Sequence, residues 1–180
     1  MSVSPTFSRY TSMSGANSSL SVAKWLIKIN NETITSGTNA LTNSINLLNV
    51  EDDTTEIDSG DTCYFEITID PTLTEVAVSY SISVNLTTAS NLPVGTKIER
   101  YEKYIYTNNT ETLDSTTNLN ATSASISENI MLPVSQTAFT STSKVKYKFY
   151  CSIPFPADMT RDASFTVTPS ISVEQYIISE

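Results

Sequence analysis

The sequence predicts an all-β protein: a two-sheet antiparallel β-sandwich of jelly-roll type with about 7–9 strands. Three observations carry this expectation. Apolar residues recur at every second position through several segments, the period of a half-buried strand. No segment makes a convincing amphipathic helix. Ser, Thr and Asn dominate while charged residues are only 16% and Gly only 4, the composition of strands with small polar outer faces.

Residues 1–19 are polar, with Val3, Pro5, Phe7, Thr11 and Met13 on odd positions and Arg9 interrupting them. They read as an extended segment with one modestly apolar face, ended by Gly15, and are set apart from a sandwich domain over 20–180. Leu20 to Asn30 is the first firm strand, with Trp25, Ile27 and Ile29 alternating with Lys24, Leu26 and Lys28. A turn at Asn30-Asn31-Glu32 and a short return from Ile34 to Gly37 make a hairpin. Ile45 to Val50 is a second short strand, and Glu51 to Asp61 an acidic loop.

The stretch from Asp58 to Leu86 is the most regular. Cys63, Phe65, Ile67 and Ile69 share one face, with Tyr64, Glu66, Thr68 and Asp70 on the other. Val76, Val78, Tyr80, Ile82, Val84 and Leu86 repeat the pattern in a second strand. Pro71, with no amide hydrogen for a ladder, belongs in the connection. Leu92 to Gly95 is a Pro/Gly turn. Lys97 to Tyr106 is read as a strand, although Ile98, Tyr101 and Ile105 also fit one face of a short helix. Residues 107–128 are the most polar and least patterned and are expected to form a long, partly mobile surface excursion. Ile130 to Val134 is a short apolar segment broken by Pro133.

Lys144 to Phe155 is the third strong strand. Val145, Tyr147, Phe149, Cys151, Ile153 and Phe155 face one way; Lys144, Lys146, Lys148, Tyr150 and Ser152 face the other. The lysine row suggests a guard against edge pairing. In the last strand, Ser164 to Ile178, Pro169 marks an edge or a bulge.

The totals bound the function. A chain of 180 residues is one domain by size. A net charge of −9 argues against nucleic acid and anionic membrane surfaces as partners. No apolar run approaches the roughly 18 residues a membrane span requires. No secretory leader stands at the front of the sequence as given, so Met1-Ser2-Val3 is expected to begin an already processed chain. The chain has no histidine, which excludes Ser-His-Asp and Cys-His hydrolases and the HExxH metallopeptidases. A glycosidase requires only two carboxylates, but no spaced pair stands out. Glycines at 15, 37, 60 and 95 cannot form a phosphate loop. No cofactor and no catalytic activity are therefore expected. Asp52, Asp53, Glu56, Asp58 and Asp61 offer oxygens for calcium without the spaced calcium-loop pattern, and a solvated turn is the plainer reading. Cys63 and Cys151 are either two buried small hydrophobes or, in an oxidising compartment, a disulfide.

The line Phe7-Ser8-Arg9-Tyr10-Thr11, then Val22-Ala23-Lys24-Trp25 and Lys28-Ile29-Asn30, resembles the start of mature chains in the TasA/camelysin family. Those are secreted proteins of Gram-positive bacteria. Ile57-Asp58-Ser59-Gly60-Asp61 followed by Tyr64-Phe65-Glu66-Ile67 is similar to the family's Pro-Gly turn and next strand, with Ser59 in place of Pro. Glu75-Val76-Ala77-Val78-Ser79-Tyr80 also fits. The resemblance covers about the first half of the chain and a final strand; residues 97–160 carry none. It implies a jelly-roll subunit of an extracellular or cell-surface fibre, in which the N-terminal segment of one subunit adds a strand to the next. The partner would be a second copy, head to tail, with an accessory or anchoring subunit besides. Phe7, Arg9, Tyr10 and Met13 would lie on the donor strand. The metallopeptidase label borne by some camelysin-like members does not carry over to a chain without histidine. The alternative is a monomeric cell-surface adhesin or carbohydrate-binding sandwich, with Tyr101, Tyr104 and Tyr106 as its platform.

Overall fold

A computed structural model describes residues 23–34, 44–58, 61–88, 91–107, 110–154 and 164–176. In chain order the strands are β1 (Ile27–Ile29), β2 (Glu32–Ile34), β3 (Ile45–Asn46), β4 (Leu48–Asn49), β5 (Thr62–Asp70), β6 (Val78–Asn85), β7 (Lys97–Thr107), β8 (Thr110–Ala121), β9 (Ser123–Ile130), β10 (Val145–Ser152), β11 (Thr166–Val167) and β12 (Ser170–Gln175). Every pairing is antiparallel. The larger sheet runs β2-β1-β5-β10-β7-β8, with β4 also on β5; the smaller runs β12-β6-β9, and β11 pairs β3. The all-β sandwich expected from the period-two pattern is the fold.

The two most regular strands do not pair with each other. The connection through Pro71 carries the chain from β5 in the larger sheet to β6 in the smaller one. Their apolar faces then meet. Phe65, Ile67 and Ile69 from β5 join Tyr147 and Phe149 from β10, Ile82 and Val84 from β6, and Ile171 and Val173 from β12 in one buried cluster. Phe65 and Phe149 lie opposite in register and stack at 4.8 Å between ring centroids, 5° from parallel. Such a pair adds about 0.5–1.5 kcal/mol beyond the area it buries.

Asn30 organises the first hairpin. Asn30 and Asn31 have φ of 48° and 70°, the left-handed pair of a type I′ turn, a conformation Asn tolerates. One edge of β5 is shared by β4 at its start and β1 at its end. Asn30 fills the ladder between them. Its Nδ2 donates to Glu66 O at 3.2 Å, its Oδ1 accepts from Thr68 N at 2.7 Å, and its own amide donates to Thr68 O at 3.1 Å. The expected first strand is shorter than Leu20 to Asn30, because the chain before β1 is held by side chains. The buried Thr74 hydroxyl accepts from Leu26 N and donates to Leu26 O, while Lys24 exchanges bonds with Glu75.

Some expectations change, while Lys97 to Tyr106 is the strand it was read as. Residues 107–128 are not an excursion: they supply β8 and most of β9. The residues of β8 are almost all exposed, so the strand shows no apolar alternation; its Thr-rich backbone is recruited by the ladder to β7. The lysine row of β10 does not guard an edge, because β10 is paired on both sides, by β5 and by β7. The helical spacing of Ile98 and Tyr101 comes from a bulge that shifts the register between Ile98 and Arg100, bringing both side chains to the core. The expected last strand is divided near Pro169 into β11, which pairs β3, and β12, which pairs β6. The Leu92 to Gly95 segment turns, with Thr96 N bonded to Pro93 O and Gly95 at φ 95°.

Replacing Asn30 by Ala orphans the β5 groups at Glu66 and Thr68. Denaturant unfolding should show a loss of about 1–3 kcal/mol; an unchanged midpoint would mean that this amide does not complete the ladder.

Candidate functional site

Three places gather polar chemistry. The first runs through the core from one sheet to the other. Tyr147 on β10 and Tyr80 on β6, both buried, bring their hydroxyls to 2.7 Å. Tyr80 donates to Glu128 Oε2 on β9 at 3.2 Å, so its one proton is committed there and Tyr147 donates to Tyr80. Glu128 also receives Lys103 Nζ from β7 at 2.6 Å, and Lys103 reaches Asp114 on β8 at 3.7 Å. Burial is the main cause that holds both phenols well above the usual tyrosine range, so they remain protonated; Tyr80 and Glu128 add to it at Tyr147, while at Tyr80 the hydrogen bond from Tyr147 works the other way and Glu128 adds to burial. The row is a polar strut between the layers. Nothing in the sequence pattern signalled it, apart from Lys103 sharing a parity with Tyr101 and Ile105.

The second place is the outer face of the larger sheet. Lys148 Nζ stands 3.6 Å from the Tyr64 ring centroid, Arg100 lies 3.7 Å over Tyr150, and Lys146 sits 5.0 Å from Tyr104. Glu102 accepts from Tyr104, from Tyr150 and from Arg100 Nε. Lys146 pairs with Glu66 and Glu111, and Lys144 with Asp70. Tyr64 donates to Asp53, which folds the acidic loop against this face. Partial burial works against the carboxylates of Glu102 and Asp70 but is outweighed. Hydrogen bonds from Tyr104, Arg100 and Tyr150 hold Glu102 below its usual range; Thr72 and then Lys144 do so for Asp70. The platform expected of Tyr101, Tyr104 and Tyr106 is not a unit. Tyr101 packs on Tyr147 and Phe149 inside, while Tyr104 and Tyr106 spend their hydroxyls on Glu102 and Glu111. A shallow groove of about 340 Å³ between β7 and β8 is lined by Glu99, Arg100, Asn118, Leu119 and Asn120. There, Glu99, Arg100 and Asn120 already hold partners within the chain.

The third place is the set of sheet margins. Among the described residues β2, β8, β9 and β12 each have one hydrogen-bonded neighbour strand. The edge strand β9 is tied across to β7 by the Lys103–Glu128 pair. On β12, Ile171 and Val173 turn inward on β6. The expected donor residues Phe7, Arg9, Tyr10 and Met13 lie outside the described residues. Cys63 and Cys151 are buried and lie directly opposite each other on β5 and β10. Asp52 and Asp61 serve the loop's own turns, while Asp53 is taken by Tyr64. Asp61 accepts from Asn49 and from the Asp58 amide, and Asp52 from Thr54. Among the described residues no group of three or more acidic or thiol side chains is placed to hold a metal ion, and no helix is long and apolar enough to cross a membrane.

Tyr80→Phe strands the buried Tyr147 hydroxyl and should cost about 1–3 kcal/mol in denaturant unfolding; adding Tyr147→Phe should recover part of that loss. Additive losses would break the strut. Glu102 and Asp70 are held below their ordinary values, so their contribution is present above that range and lost as pH falls through the folded values. Thermal stability should drop between about pH 5 and about pH 3, less steeply in Glu102→Gln. An identical pH profile in that variant would remove Glu102 from the account. No protein-family model and no curated protein matches this chain.

Proposed function

We propose that this chain is a secreted structural protein, the subunit of a surface or biofilm-matrix fibre, built on a jelly-roll sandwich and joined head to tail by strand exchange. The observation that carries the reading is the three-stranded sheet whose outer strands, β9 and β12, each have one neighbour among the described residues. A strand laid along such a margin gains main-chain hydrogen bonds and covers the rim of the apolar layer, here Ile171 and Val173 or Ala124 and Ile126. The donor is the N-terminal segment, with Phe7, Tyr10 and Met13 as anchors and Arg9 between them. Its half-apolar alternation suits an added strand, and its resemblance to the TasA/camelysin start supports the role. A contact in which one copy lends and the next receives does not close, and so propagates. The outer face of the larger sheet, with its rings and charges already partnered, fits the wall of a fibre better than a glycan platform.

Negative-stain electron microscopy of the purified chain should show filaments. Deleting residues 1–14 should abolish them while leaving the far-ultraviolet circular dichroism of the sandwich unchanged. A full chain that stays monomeric under all conditions would overturn the fibre; filaments from the truncated chain would overturn the donor role.

A further inference from the structure

We propose that Cys63 and Cys151 form an intramolecular disulfide that fastens β5 to β10 in the middle of the larger sheet. The register of the ladder carries the inference. Ile69 faces Val145, Phe65 faces Phe149, Tyr64 faces Tyr150, and in the same run Cys63 faces Cys151. Directly opposed residues in an antiparallel pair have Cα atoms about 4.5 or about 5.5 Å apart, depending on the rung. Both values fall inside the roughly 4.4–6.8 Å that a disulfide spans. The Cα spacing of a directly opposed pair therefore permits the bond on either kind of rung. Both side chains also point to the same side of the sheet: Cys63 shares the core face of Phe65, and Cys151 that of Phe149.

The surroundings fit a cross-link as well as a thiol pair. Both cysteines are fully buried, and in the reduced form Cys63 Sγ donates to Cys151 O at 3.4 Å. A thiol is a weak donor and that contact is a small loss on oxidation. The contact with Cys63, followed by burial, pushes the Cys151 thiol up, so the finished fold disfavours a reactive thiolate there. Oxidation thus belongs to the folding chain, before the sheet closes over the rung. With a disulfide such as oxidised glutathione as oxidant, one protein thiolate attacks a glutathione sulfur and releases one glutathione thiol. The second protein thiolate then attacks the mixed disulfide, forms the Cys63–Cys151 bond and releases the other. Two protein thiols become one disulfide, and the two electrons reduce one glutathione disulfide to two thiols.

The bond would close a loop across 88 positions of sequence and join the two strands on which the larger sheet is centred. It does not depend on the fibre reading, since it acts within one subunit.

The full chain is denatured and reduced, then refolded in oxidised or in reduced glutathione, and alkylated under denaturing conditions without reductant. The oxidised sample should be monomeric and take up no alkyl group, with peptides containing Cys63 and Cys151 linked. Two alkylated thiols, a glutathione adduct or a covalent dimer would overturn the proposal. The oxidised form should melt about 10 °C above the reduced form. A Cys63→Ala/Cys151→Ala variant should melt at one temperature in both buffers. Equal melting of the two wild-type forms would leave the bond without the fastening role and overturn that part.

Discussion

The ladder between β5 and β10 is the constraint on which the rest is built. Most of its rungs are matched: Ile69 on Val145, Phe65 on Phe149, Tyr64 on Tyr150, Cys63 on Cys151, Thr62 on Ser152, and Glu66 against Lys148 of opposite charge. Because side chains alternate across a strand, a one-residue slip would carry every apolar group to the outer face and every charge into the core. The matched rungs thus fix the register of two strands far apart in sequence. Once it is fixed, β7 is placed on one side and β1 and β4 on the other. The smaller sheet then has one apolar surface to cover.

A two-layer sandwich leaves the far face of each sheet to water, and the larger sheet here carries rings on that face. Tyr64 and Tyr150 are nonetheless buried. The cover comes from long cationic side chains lying over the rings and from carboxylates that collect the phenolic protons, so charge and aliphatic stem together replace a third layer. The strut from Tyr147 to Lys103 works the other way, taking polar groups through the core to join the layers at a chosen point. An apolar interface could slide by small steps; a row of directional hydrogen bonds allows one alignment.

What could be read from the residues follows which sides of a strand meet the core. β5, β6 and β10 bury one face each, so their alternation shows in the sequence and their inward residues were identified correctly. β8 is exposed over most of its length, with only Thr117, Leu119 and Ala121 half-buried, and leaves little periodic trace; pairing to β7 makes it a strand. The bulge in β7 disturbs the period locally and imitates a helical spacing. Lys144, Lys146 and Lys148 were visible as a row, but the carboxylates that answer them come from other strands. The same holds for the thiols: two apolar positions far apart in sequence say nothing of facing one another until the register is known.

The exposure of the first half of β8 has a consequence for variation. From Thr110 to Thr116 every side chain is exposed, and only Glu111 and Asp114 answer cations on other strands. The remaining positions ask little beyond a preference for extended backbone and an aversion to proline. There the chain can exchange one small polar residue for another as its surroundings require, while the sandwich behind it stays as it is.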